Sequence, residues 1–250
     1  MYKSDKRAAK REYKEKLRRA KNSNELRLDE YYLKTGKRRP KNPPKRPLLE
    51  EIGNSVTHGL GALFGLISFL GMMILAEDTA EVIGGILYSG GLILMFTVSC
   101  IYHALPYGGA AKRVFRRFDY TCIYILIGAT FAPVLLSYYG NLFGYIFFTV
   151  QWAVIIAGIT LVAVFGPDRF RHVHIPLYVI LGWSALMLLP GMIIGEPAMA
   201  MWILAGGVVY SVGIIPYALR KGPSHFIWHF FVLAGAVVQW IGIVSHIYFY

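Results

Sequence analysis

The chain has 250 residues and a net charge of +12, with 16% charged and 56% hydrophobic residues. Soluble domains average about 25% charged and 45–50% apolar residues, so this composition excludes an ordinary soluble enzyme. An aromatic content of 15% also excludes disorder over most of the chain. The remaining broad class is an integral membrane protein.

Residues 1–49 form a basic tail. They hold 18 of the 26 Lys and Arg residues and 6 of the 14 Asp and Glu residues, a difference that equals the whole net charge. The proline-rich stretch 37–47 predicts an extended spacer. We expect a flexible, solvated tail that sets membrane orientation, and binding of anionic lipid head groups is the alternative. We expect no nucleic-acid partner, because no nucleic-acid-binding motif is present.

Residues 50–250 carry no net charge and contain seven apolar stretches, each long enough to span a membrane as a helix. Such a span takes about 20 residues. The predicted spans are Asn54–Ala76, Val82–Leu105, Phe118–Ser137, Leu142–Phe165, His174–Ile194, Met199–Leu219 and Phe226–Phe249. Long continuous apolar runs favour helices over membrane β-strands. The sequence therefore predicts an all-α fold, a seven-transmembrane helical bundle.

Charge alternates between the predicted loops. The tail and the even-numbered loops are basic, whereas the odd-numbered loops are acidic or uncharged. The basic loop residues are Lys112, Arg113, Arg116, Arg117, Arg169, Arg171, Arg220 and Lys221. Because Lys and Arg concentrate in cytoplasmic loops, this pattern predicts a cytoplasmic amino terminus. Seven spans then predict an external carboxyl terminus.

Polar side chains gather at the predicted cytoplasmic ends of several spans. His225 and His229 are one helical turn apart, so both imidazoles project from one face of span seven. His103 lies at the same depth in span two and could complete a three-histidine zinc site, which is of the catalytic type when its fourth position is open. Asp119 and Ser99 also lie at this depth, where Asp119 could hold a water or orient a histidine.

Span one contributes further polar residues, for which two interpretations stay open. Glu51, Asn54, Thr57 and His58 lie near its cytoplasmic end. They are candidates for residues that surround the metal, and interhelical packing is the alternative. For any single intramembrane histidine, a hydrogen-bonded packing role is likewise the alternative to metal binding. His174, at the start of span five, is expected at the membrane interface.

Four motifs, in this order, resemble those of the haemolysin III family, which belongs with the progestin and adipoQ receptors and, more distantly, the alkaline ceramidases. They are Glu51-x2-Asn54-x2-Thr57-His58-Gly59, Ser99-x3-His103, Arg116-Arg117-Phe118-Asp119 running into Ile123-Tyr124-x-Leu126-Ile127, and His225-Phe226-Ile227-Trp228-His229-x-Phe231-Val232. The resemblance covers about residues 48–250. The chain departs from the family pattern at Tyr120 and Gln239, where the family often has histidines.

The resemblance implies zinc bound by His103, His225 and His229, with Asp119 and Ser99 beside it. It also implies a seven-helix bundle with a cytoplasmic amino terminus. We expect a multi-pass protein of the plasma membrane, with membrane lipids as partners. One hypothesis is a zinc-dependent hydrolase of lipid amides, in which Asp119 accepts a proton and Ser99 stabilises the developing oxyanion. The alternative is a non-enzymatic protein, either a pore former or a sensor of membrane state, with a structural zinc. An open fourth coordination position would favour hydrolysis.

Overall fold

The computed structural model of the protein describes residues 12, 13, 15, 16, 19, 43–219 and 222–249. The described residues from Pro43 onward belong to one compact unit, and the earlier ones belong to another. Most of the tail predicted at residues 1–49 lies outside the described residues, so its flexibility stays a prediction. Arg220, Lys221 and Tyr250, which bear on the predicted orientation, also lie outside them.

The unit after Pro43 is all-helical, as predicted, with no β-strand among its described residues. Its α-helices are α1 Leu48–Leu75, α2 Thr79–Ala104, α3 Ala110–Pro133, α4 Leu142–Phe165, α5 Arg171–Trp183, α6 Leu189–Gly195, α7 Pro197–Leu219 and α8 Ser224–Ile243. π-Helices extend α3 over Val134–Tyr138 and α8 over Val244–Tyr248. Six helices are long and apolar enough to cross a membrane, and α5 with α6 makes a seventh if this bent pair is one span.

The fifth predicted span, His174–Ile194, is not one continuous helix. After α5 comes a 3₁₀ helix at Ser184–Met187, and α6 then leaves at an angle of 43°. Ser184 Oγ donates a 2.6 Å hydrogen bond to the Leu181 carbonyl oxygen and competes with the helical backbone for this acceptor. Pro190 has no N–H and disfavours a preceding helical turn, but it fits the first turn of α6. The hydroxyl and the proline together account for the break.

Two helices, α1 and α3, begin more than one turn earlier than their apolar stretches predict. The first residue of α1 is Leu48 and not Asn54, and the first residue of α3 is Ala110 and not Phe118. The additional turns are polar, because a helix can continue beyond the hydrocarbon core while its charged side chains stay in the interface. Asp119 therefore lies well inside α3 and not at its start.

Close helix contacts bring the polar ends together. α2 packs between α1 and α3, while α8 packs against α7 and α1. A Cβ atom on Gly84 of α2 would lie only 2.9 Å from Pro133 Cα at the end of α3. Small residues of this kind let membrane helices approach closely. The first turns of α1 and α8 and the last turn of α2 meet at the opposite end of the bundle, where a Cβ atom on Gly53 of α1 would lie only 2.6 Å from the Phe226 ring of α8.

Candidate metal centre

Three histidines converge where the end of α2 meets the start of α8. Nε2 of His225 lies 3.4 Å from Nε2 of His103 and 3.2 Å from Nε2 of His229. The ligand nitrogens of all three histidines lie within 4.8 Å of one another. Tetrahedral zinc with Zn–N bonds of about 2.0–2.1 Å holds two ligand nitrogens about 3.3 Å apart, so the observed spacing fits this ion. This group, which we call the histidine cluster, could hold a metal ion.

Local helix geometry positions the ligands of the histidine cluster. α8 begins at Ser224, so His225 and His229 stand on its first two turns and face one side. His103 lies in the last turn of α2, which ends at Ala104 shortly before a proline. A residue before a proline is disfavoured in helical conformation, and this sets the end of α2 just beyond its histidine.

The second ring nitrogen of His103 is held from α1. His103 Nδ1 lies 2.6 Å from Glu51 Oε2, and the Asn54 side-chain amide lies 3.3 Å from the same nitrogen. A carboxylate can only accept here, so Nδ1 carries the hydrogen and Nε2 keeps its lone pair for a metal. Metal-binding histidines usually donate their second ring N–H to such a carboxylate. Glu51 therefore stands where a residue supporting a metal ligand is expected.

The other two predicted site residues of α1, Thr57 and His58, make different contacts. His58 stacks on His229 with ring centroids 3.7 Å apart, and neither His58 ring nitrogen makes a hydrogen bond of good geometry. Thr57 Oγ1 donates a 2.7 Å hydrogen bond to the Gly53 carbonyl oxygen in its own helix. The structure thus brings His58 to the histidine cluster and turns the Thr57 hydroxyl back to α1.

A cavity of about 170 Å³ adjoins the histidine cluster. Its polar wall at this end consists of His58, Ser99, Asp119, His225 and His229. The Ser99 hydroxyl is buried beside the Asp119 carboxyl group and makes no hydrogen bond of good geometry. The remaining wall is mostly apolar and comes from α2, α3, α5, α7 and α8. The cavity therefore has a polar end with candidate reactive groups, and the rest of its wall is suited to a hydrocarbon chain.

The two departures from the resembled family both line this cavity. The Tyr120 hydroxyl lies 3.1 Å from the Tyr217 hydroxyl, within hydrogen-bond distance. Gln239 Nε2 donates a 3.4 Å hydrogen bond to the Ile203 carbonyl oxygen. These side chains bond to neighbouring helices, so the departures change the cavity wall and leave the histidine cluster intact.

Sequence reasoning missed several buried polar residues, and His174 and Lys112 are two of them. His174, expected at the interface, is fully buried and its Nδ1 lies 3.0 Å from the Tyr124 hydroxyl. Lys112, interpreted as a loop charge, is buried with its Nζ 3.2 Å from Glu51 Oε1. The sequence did contain a signal for Lys112. It stands seven residues before Asp119, so the two side chains share one helix face if α3 begins before Lys112.

Comparison with known proteins gives one consistent result. The sequence model of the family described as "Haemolysin-III related" matches residues 47–240. Hemolysin-3 of Bacillus cereus is 29% identical over 203 residues, which cover 79% of this chain and 92% of that protein. Monocyte to macrophage differentiation factor of Homo sapiens is 28% identical over 225 residues, covering 84% and 90%. Adiponectin receptor protein of Drosophila melanogaster is 28% identical over 232 residues, covering 77% and 50%.

Proposed function

Because this chain belongs to the haemolysin III-related family, whose model spans the whole histidine cluster, we propose that it is a zinc-binding membrane protein that hydrolyses lipid amides. The observation that carries the proposal is the histidine cluster at the polar end of a largely apolar cavity. A lipid amide has the matching character, with one polar reacting group between hydrocarbon chains.

The donor set of the histidine cluster suits zinc. Three imidazoles are available at tetrahedral spacing, and no fourth His, Cys, Asp or Glu joins them in the part of the chain that the structure describes. Three protein ligands and one open position are typical of catalytic zinc sites. Zinc held there would supply Lewis-acid chemistry, polarising an amide carbonyl and making water acidic enough to ionise near neutral pH.

Asp119 and Ser99 would carry the proton and charge movements of hydrolysis. Both are buried in the cavity wall next to the histidine cluster. Asp119 would accept a proton from the attacking water and return it to the departing amine. The Ser99 hydroxyl, which has no hydrogen bond of good geometry, would donate to the oxyanion as it develops. The apolar wall would hold the acyl chain.

A second candidate function is a non-enzymatic pore former or sensor of membrane state with a structural zinc. It is favoured by the name of the Bacillus cereus relative, Hemolysin-3. It requires a fourth ligand or a filled coordination position, and the described cluster of three histidines favours the hydrolase.

We also propose that the protein lies in the plasma membrane with a cytoplasmic amino terminus. The alternating loop charges support this orientation. The excess of cations in residues 1–49 would attract anionic lipid head groups. A peptide of these residues should therefore sediment with phosphatidylserine vesicles and release at high salt, and equal sedimentation with neutral vesicles would contradict the proposal.

The proposed activity is tested with the full-length protein, purified and reconstituted with a panel of ceramides. Release of free fatty acid should follow the zinc content, fall after chelation and return when zinc is restored. His229→Ala should lose both zinc and activity. His246→Ala is a matched control, because this membrane histidine pairs with Glu196 at 3.1 Å and not with the cluster. A fully zinc-loaded protein that is inactive on every lipid amide would favour the structural-zinc function.

A further inference from the structure

We propose that Lys112 is a positioning residue, which holds Glu51 against His103 and so fixes the direction of the ligand nitrogen on α2. This inference rests on the proposed zinc site and concerns a residue outside the four motifs of the family resemblance. Lys112 touches neither the cavity nor the candidate ligand nitrogens in the contacts described for it, so its effect must pass through its neighbours.

Lys112 is a buried cation whose donors are all used. The residue is 1% exposed. Its Nζ lies 3.2 Å from Glu51 Oε1 and donates to the carbonyl oxygens of Leu105 at 2.9 Å and His103 at 3.4 Å. An ammonium group has three N–H donors, and three oxygen acceptors surround this one. Because a buried charge is costly unless paired, such a lysine points to a specific local role.

Glu51 connects Lys112 with the histidine cluster by using one carboxylate oxygen for each. Oε1 faces Lys112, and Oε2 lies 2.6 Å from His103 Nδ1. The lysine therefore limits rotation of the carboxylate and keeps Oε2 available to the imidazole. The bond to Nδ1 in turn keeps Nε2 as the free acceptor that points toward His225.

Lys112 also joins three helices at this point. It extends from α3, contacts Glu51 on α1 and bonds to the last carbonyl groups of α2. A purely structural role would consist of holding these carbonyl groups. The positioning role differs from it because only the positioning role acts through the Glu51 carboxylate.

A double-mutant cycle on the full-length protein separates the two roles. Zinc affinity is measured by competition with a chromophoric chelator for the wild type, Lys112→Met, Glu51→Gln and the double variant. We expect Lys112→Met and Glu51→Gln each to weaken zinc binding about 10–100-fold, as is typical for residues that orient a metal ligand. The double variant should bind about as weakly as Glu51→Gln alone.

Two further variants serve as controls for the effect of Lys112→Met. Arg113→Met removes the neighbouring cation, whose Nη1 bonds to the Gly108 carbonyl oxygen in the loop, and should leave zinc affinity unchanged. If Lys112→Met does not yield monodisperse protein, Lys112→Gln keeps donors for the α2 carbonyl groups but offers Glu51 no charge, and it should show the same loss.

Independent, multiplicative losses in the double variant would overturn the proposal and assign Lys112 a structural role. Wild-type affinity in Lys112→Met or Lys112→Gln would overturn it as well, while leaving the zinc site standing. A wild-type protein that binds no zinc would overturn both the zinc site and the role of Lys112.

Discussion

The three imidazole rings of the histidine cluster are held in position by different neighbouring contacts. His225 and His229 share one helix, so their relative placement follows from the helical repeat. His103 comes from another helix and has Glu51 to fix its ring. Nδ1 of His229 is buried and makes no hydrogen bond of good geometry, and His58 stacks on this ring. Metal affinity should therefore respond to each histidine of the cluster, but for different physical reasons.

Removing either α8 ligand should abolish metal binding. In His225→Ala or His229→Ala, two imidazoles remain and cannot hold zinc at tetrahedral spacing. Elemental analysis of purified protein should show about one zinc per chain in the wild type and close to none in these variants. The His246→Ala control should keep its zinc. Full occupancy in both ligand variants would remove the zinc assignment.

Asp119→Asn separates proton transfer from metal binding. The amide keeps the shape of the side chain but cannot accept a proton from the attacking water, so hydrolysis should fall by about 10²–10⁴. Zinc should stay bound, up to about 10–100-fold more weakly. A helix-start role would make this substitution mild, but Asp119 lies beyond the first turn of α3, where a helix dipole no longer matters. Unchanged amidase activity in Asp119→Asn would exclude it from the mechanism.

At the scale of helices, apolar stretches predict the part of a helix that lies in lipid and not its whole length. The histidine pair could be predicted because a spacing of four residues is a property of the helix itself. Lys112 and Glu51 could not be paired, because Lys112 stands in a polar turn of α3 that hydropathy assigns to a loop. The bend after α5 depends on the local hydrogen bond of the Ser184 hydroxyl to the Leu181 carbonyl oxygen and on Pro190, and mean hydropathy registers neither.

Close packing between α2 and α3 should make Gly84 costly to replace. In Gly84→Ala the new Cβ would meet the backbone of Pro133 at 2.9 Å, and neither backbone can yield without moving a helix. We expect a loss of about 1–3 kcal/mol in the free energy of unfolding, as for other overpacked sites. Thermal unfolding in detergent measures it.

Gly90→Ala is the matched control on the same helix. A Cβ there meets no atom within 4 Å, and alanine is the better helix former, so stability should hold or rise. Equal melting temperatures for Gly84→Ala and Gly90→Ala would show that the approach of α2 to α3 is not tight.

At the scale of the whole molecule, the family, the all-helical fold and the candidate spans agree with the sequence prediction. They agree because composition and motif order are properties of the whole chain and tolerate errors of several residues at each helix end. The orientation of the protein in the membrane needs its own test, since it is predicted from loop charge and not from helix packing.

The orientation prediction can be tested with fused reporters. With the amino terminus in the cytoplasm and seven spans, a reporter that is active only in the cytoplasm should work when fused before Met1 and stay silent when fused after Tyr250. Counting α5 and α6 as one span is essential to this result. Activity at both ends would mean that the bent pair does not cross the membrane.

The histidine cluster joins α2 to α8, two helices with most of the membrane domain between them in sequence. During synthesis, His103 enters the membrane long before the ribosome reaches Ser224. A nascent chain halted between these points would contain Glu51, Lys112 and His103 but neither α8 ligand. The complete set of three ligands would therefore exist only after α8 has been made, which places any metal loading of the cluster among the last steps of biogenesis.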